Sequence, residues 1–119
     1  MKRIPEDLDL SALVGEITTQ IRVGKYDIQL SIGKVNFSIW SPIKILRDGK
    51  EIGNWEEDKW PDSAFIEVLN VKVTKYETPN QEFIALYFEN GVGMYFGKND
   101  EQLETMSIYI EGESALWFM

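Results

Sequence analysis

The chain has 119 residues, 44% of them hydrophobic and 13% aromatic, enough apolar material for one packed domain and too little length for two. It contains no cysteine and no histidine, which excludes disulfide frameworks, thiolate nucleophiles, Ser-His-Asp and Cys-His chemistry and the usual histidine-ligated zinc hydrolases. The net charge of -8 is unevenly placed, +2 over residues 1–50 and -10 over residues 51–119; such a surface repels nucleic acid and anionic lipid and attracts a basic partner, while plain solubility is the bland account of the same numbers.

The opening Met1-Lys2-Arg3-Ile4-Pro5-Glu6-Asp7 turns acidic with no apolar run behind it, so no signal peptide is expected. No segment approaches the roughly 18 apolar residues of a membrane span, and a cytoplasmic location is the expectation.

Short segments of alternating polarity then predict antiparallel strands. Glu16–Val23 is one, ending at Gly24. Tyr26–Ile32 and Val35–Trp40 alternate at period two around a Gly33-Lys34 turn, placing Ile28, Leu30, Ile32, Val35, Phe37 and Ile39 on one core-facing side. Pro42 interrupts, and a short strand from Ile43 to Leu46 leads to an Asp48-Gly49 turn. Residues 50–60 read as the main irregular loop. Pro61 to Leu69 is the one short α-helix expected, with Pro61 in its first turn, Asp62 or Ser63 capping it, and Phe65, Ile66 and Leu69 as its apolar face. Strands return at Val71–Tyr76, Phe83–Phe88, Val92–Phe96 after the Asn90-Gly91 hairpin turn, Thr105–Ile110 and Ala115–Phe118.

Ile28-Gln29-Leu30-Ser31-Ile32 with its following turn resembles Ile84-Ala85-Leu86-Tyr87-Phe88 with Asn90-Gly91, at an offset of 56 to 57 residues. Two related β-meanders joined through residues 42–70 would produce this, as would chance likeness between two hairpins. The fold class predicted is mainly β, a single domain over 1–119 with two meander-like antiparallel halves, arranged as a sandwich or a partly open barrel.

Trp55-Glu56-Glu57-Asp58-Lys59-Trp60 is the most unusual segment: three carboxylates between two tryptophans. Tryptophan is enriched at interface hot spots, and carboxylates pair with a partner's Arg or Lys, so Trp55, Glu56, Glu57, Asp58 and Trp60 form a candidate protein-binding site. The structural alternative is a solvated loop whose tryptophans fold into the core. A metal site is disfavoured, because consecutive residues point apart and no EF-hand spacing is present. Asp100, Glu101 and Glu104 form a second acidic group and join the candidate partner-binding residues; Glu111 and Glu113 are expected at the far end of the strand 105–110. No carboxylate pair stands out as a glycosidase couple, and Gly91-Val92-Gly93 lacks the context of a dinucleotide fingerprint, leaving Gly93 to a bulge or close packing. No enzyme activity, cofactor or metal is expected. The aromatics Tyr87, Phe88, Tyr95, Phe96 and Tyr109 suggest an RNA-stacking sheet only until the surrounding negative charge is counted; Tyr87 and Tyr95 are read as outward neighbours of core residues.

The pattern Ile17-Thr-Thr-Gln-Ile-Arg-Val-Gly-Lys-Tyr-Asp-Ile-Gln-Leu-Ser-Ile-Gly, then Asp48-Gly49, the segment 61–69 and Leu86-Tyr-Phe-Glu-Asn-Gly-Val, resembles a family of small uncharacterised bacterial β-proteins, similar in size and charge to the immunity proteins of contact-dependent growth inhibition and other polymorphic toxin systems. The likeness runs from about Val14 to Ile110 and consists mostly of hairpin grammar. It implies a non-catalytic protein that binds and blocks a cognate toxin, often a nuclease, whose basic active site carboxylates can engage by mimicking phosphate. The alternative class is a structural or adaptor module, or an assembly through an exposed strand edge. A small-molecule or carbohydrate-binding β-domain is a third, marked by a deep aromatic-lined cavity.

Overall fold

A computed structural model of the chain describes residues 4–98, 105–113 and 116–119. Its strands are Thr18–Val23 (β1), Ile28–Ile32 (β2), Val35–Ile39 (β3), Ile43–Arg47 (β4), Lys50–Trp55 (β5), Val73–Glu77 (β6), Ile84–Phe88 (β7), Val92–Phe96 (β8), Met106–Ile110 (β9) and Leu116–Phe118 (β10). Alternation at period two decides their placement: Ile28, Leu30, Ile32, Val35, Phe37 and Ile39 are all buried, while Gln29, Ser31, Asn36 and Ser38 between them turn outward.

The strands make two antiparallel five-stranded sheets, in the orders β1-β2-β3-β9-β10 and β5-β4-β8-β7-β6. Their inner faces share one core, with Phe37 of the first sheet meeting Phe96 of the second edge-to-face at 5.3 Å between ring centroids. The sheets are bridged where Ile17 pairs with Lys72 just before β1 and β6, and again where the Thr105 hydroxyl beside β9 donates to the Gly97 carbonyl after β8; they do not close into a barrel. Burial of each Ile, Leu or Phe in this core contributes roughly 1.5–3 kcal/mol.

The internal repeat seen in the sequence extends to the whole topology. Each sheet is a three-stranded meander from one half of the chain (β1-β2-β3 or β6-β7-β8) extended by a hairpin from the other half (β9-β10 or β4-β5). The exchange is in the same register on both sides: β3 meets β9 from Ile39↔Met106 to Val35↔Ile110, and β8 meets β4 from Phe96↔Ile43 to Val92↔Arg47. Even the irregularities correspond. The register slips after Thr18 and after Val73, and the intervening Thr19 and Thr74 hydroxyls donate to the carbonyls of Ser31 and Tyr87, at 3.3 and 3.2 Å.

Two expectations are corrected. Residues 50–55 belong to an edge strand, β5, and only 56–62 form the loop. The segment near 61–69 is a six-residue 3₁₀ helix, Ser63–Val68, in place of an α-helix. Its buried side chains are Phe65 and Val68, three apart as a three-residue turn requires, and Ile66 is 70% exposed. Asp62 stands at its N-cap without capping it. The Asp62 carboxylate instead accepts the outward N–H of Asn54 at 2.9 Å, so the linker covers part of the β5 edge.

Candidate functional site

The 56–60 loop leaves the sandwich where β5 ends, and the two tryptophans that bracket it part company. Trp55 pairs with Ile43 and is fully buried; its indole belongs to the core. Trp60 is 77% exposed, the most exposed large hydrophobic side chain among the described residues. Of the two readings of this segment, the core holds for Trp55 and the surface for Trp60.

The loop is held from three sides. The Glu56 carbonyl accepts the Lys59 N–H at 3.2 Å, closing a turn in which Asp58 adopts a positive φ of 66°. The Asp58 N–H donates to the Lys25 carbonyl at 2.9 Å, and the Lys25 ammonium lies 3.7 Å from the Asp58 carboxylate. The Lys59 ammonium donates to the Asn54 side-chain carbonyl and lies 3.6 Å from the Asp62 carboxylate. Lys25 and Lys59 are thus both engaged in tying the loop down. Among the described residues Glu56 and Glu57 are exposed and form no ion pair.

The anchoring to Lys25 brings in the β1–β2 turn, which the sequence reading left out of the site. Tyr26 at its tip is 55% exposed, with the Lys25 ammonium 5.4 Å from its ring centroid. Between this turn and the loop lies an open depression of about 320 Å³, lined by Val23, Gly24, Lys25, Asp58, Lys59 and Trp60. An aromatic at the tip of a Gly24-Lys25-Tyr26-Asp27 turn has no strand to bury it, and that was the available signal. The result is two exposed aromatics and, on the same tied-down loop as Trp60, two carboxylates with no ion pair among the described residues.

Asp100, Glu101 and Glu104 lie outside the described residues. Glu111 and Glu113 are exposed at the opposite end of the sandwich: the Glu111 N–H bonds the Lys34 carbonyl in the β2–β3 turn, one strand length from Lys25. They do not join the loop. Among the described residues no three acidic side chains converge in a way that could hold a metal ion, and no helix is long and apolar enough to cross a membrane.

The outer face of the second sheet carries the tyrosines. Tyr87 and Tyr95 turn outward as expected, with hydroxyls 3.4 Å apart and rings edge-to-face at 6.1 Å. Gly93 makes no bulge: it pairs in register with Tyr87, and an added Cβ would stand 3.4 Å from the Tyr95 ring and 3.6 Å from the Tyr87 ring. These are ordinary contact distances, so the packing there does not demand a glycine either. The hydrogen bond with Tyr95, then burial, then the neighbouring Glu77, push the Tyr87 hydroxyl above the ordinary tyrosine range.

Compared with family models, with curated proteins and with solved structures, the chain matches none.

Proposed function

We propose that the chain is a non-catalytic protein-binding module that captures a basic partner through the 56–60 loop and the adjoining Tyr26 turn, acting as the immunity protein of a cognate toxin. The observation that carries this reading is Trp60, 77% exposed on the same loop as Glu56 and Glu57, which have no ion pair among the described residues, while the nearby Lys25 and Lys59 are engaged with Asp58 and Asp62. An exposed indole costs solvation unless a partner covers it, and a loop fixed by backbone and ionic ties loses little entropy on binding. The carboxylates would steer a basic nuclease-like surface and pair with its Arg and Lys side chains. The acidic second half of the chain extends the same field.

The test is capture from extract of the source cells by tagged wild-type protein and by a variant combining Trp60→Ala with Glu56→Ser, Glu57→Ser and Asp58→Ser. The expected result is a basic protein held one-to-one by the wild type and lost by the variant. Its toxicity on expression should be relieved by co-expressing the wild type, and its association rate should fall as salt rises. Recovery of the chain's own copies alone, or equal capture by the variant, would sink this assignment.

A further inference from the structure

We propose that the cleft on the outer face of the second sheet, between the ends of β4, β7 and β8, is a separate binding site for a small planar aromatic ligand bearing a carboxylate or phosphate.

The cleft has a volume of about 420 Å³ and is lined by Pro42, Lys44, Phe83, Tyr95, Phe96 and Lys98. That volume lies within the roughly 300–1,000 Å³ of small-ligand sites. Its chemistry runs against that of the molecule: in a chain of net charge -8, two lysines and no carboxylate line it among the described residues. Among the described residues neither Lys44 nor Lys98 forms an ion pair. Two ammonium groups at one cleft, with no ion-pair partner among the described residues, favour an anion. The rings beside them favour a flat partner: Phe83 and Tyr95 pack on each other with centroids 5.5 Å apart, tilted at 41°, and make an aromatic wall on which a ring can stack.

The aromatic wall is already fixed. The Tyr95 hydroxyl is engaged with Tyr87, which fixes the ring without a ligand, and Tyr95 pairs with Lys44 across the β4–β8 ladder, so the two side chains leave the same face of neighbouring strands. Such preorganisation lowers the cost of binding.

The internal repeat separates function from folding here. The position of Tyr95 on β8 corresponds to Ser38 on β3, and that of Lys44 on β4 to Ser107 on β9; Ser38 pairs Ser107 as Tyr95 pairs Lys44. Tyr87 and Gly93 correspond to Ser31 and Asn36, which satisfy each other by a 2.9 Å hydrogen bond. The same strand register is therefore built in the first sheet with small polar side chains. The fold has no need of two tyrosines, a glycine and a lysine at these places, and on this outer face the small polar residues of the first sheet give way to aromatic and charged ones.

The experiment is amide-shift titration of the isotope-labelled full chain with two probes, indole-3-acetate and adenosine 5′-monophosphate. Tryptamine, a planar cation, and inorganic phosphate serve as controls. Saturable shifts at Lys44, Phe83, Tyr95 and Lys98 with at least one anionic probe are expected, and which probe binds more tightly tells carboxylate from phosphate. Lys44→Ala and Lys98→Ala, both at exposed positions that leave the core untouched, should each weaken binding by roughly tenfold, the size of one lost charge-assisted contact. Trp60→Ala should bind unchanged, which keeps this site's fate distinct from that of the partner-binding loop. Absence of saturable shifts with both anionic probes, equal binding of tryptamine, or indifference to both lysine substitutions would overturn the proposal.

Discussion

Ile17 bridges Lys72 in antiparallel fashion at the seam between the sheets, and the contacts on either side of this pair mirror each other. The Gly15 N–H donates to the Val73 carbonyl at 2.7 Å, and the Asn70 N–H donates to the Thr18 carbonyl at 2.8 Å; Gly15 and Asn70 both take a positive φ to do so. The pair marks the local axis relating the two halves, each of which lends its hairpin to the other's sheet. A half-chain alone would leave its three-stranded meander and its hairpin each without the neighbouring strand and one face of its core in water, which is at best marginally stable. Cleaving between Glu57 and Asp58 should therefore give two fragments that are unfolded apart and refold on mixing in equal amounts. Far-ultraviolet circular dichroism and amide dispersion of the fragments, separate and mixed, check this; a fragment that folds alone would refute the exchange as the source of stability.

Much of this architecture was legible because it follows from side-chain period. Ile28 to Ile39 and Ile84 to Phe96 alternate or stay apolar with turn residues at Gly33 and Gly91, and the strands lie where that pattern puts them. β5 was not legible, because its face is an edge: Lys50, Glu51 and Ile52 are all exposed, and Gly53 has no side chain to show a period. The 3₁₀ helix was mistaken for an α-helix because Phe65 and Ile66 read as neighbours on a wider face, whereas six residues packed on a strand edge bury only Phe65 and Val68. The loop site was visible in composition, but Trp55 and Trp60 look alike in sequence. Only the Ile43–Trp55 pairing separates a core indole from a surface one. The cleft joins residues from positions 42 to 98, a proximity that no local pattern encodes.

The two tryptophans of the loop should behave oppositely on truncation. Trp55→Ala removes a fully buried indole and should cost about 3–5 kcal/mol of unfolding free energy. Trp60→Ala removes an exposed one and should stay within about 0.5 kcal/mol of the wild type. Urea denaturation followed by circular dichroism separates them. A large loss for Trp60→Ala would mean that its ring supports the fold, and the binding role would lose its main ground.

Gly53 should tolerate no side chain, although it lies in a strand. A Cβ there would stand 2.6 Å from the Ala64 Cβ and 3.2 Å from the Asp62 Cβ. Neither atom can swing aside without moving the linker that covers the β5 edge. Gly53→Ala should cost roughly 1–3 kcal/mol by overpacking, and it should shift the Asn54 amide by disturbing its bond to Asp62. Gly49→Ala is the comparison: it meets nothing within 4 Å and is strained only by its φ of 81°, a cost of roughly 1–2 kcal/mol. It should leave the Asn54 amide where it was. An undisturbed Asn54 amide in Gly53→Ala would show that the linker does not rest on this strand.

Tyr87 should make the fold sensitive to alkali. Its hydroxyl is raised above the ordinary value of 10.0 by the bond to Tyr95, by burial and by Glu77, so the folded chain holds this proton at a pH where the unfolded chain releases it. The native state then binds more protons than the unfolded state, and stability falls as pH rises. The contribution is complete below about pH 10, the unfolded value, and is lost as pH climbs from there through the raised folded value. Of the five tyrosines, one should therefore be absent from the phenolate absorbance that develops near pH 10 in the native protein and reappear in denaturant. Tyr87→Phe keeps the ring over Gly93 and removes the titrating group, so its alkaline decline in unfolding free energy should be shallower than that of the wild type. An equal decline in the two proteins would show that the hydroxyl pair does not couple ionisation to folding, and the fixed orientation of Tyr95 at the cleft would have to come from ring packing alone.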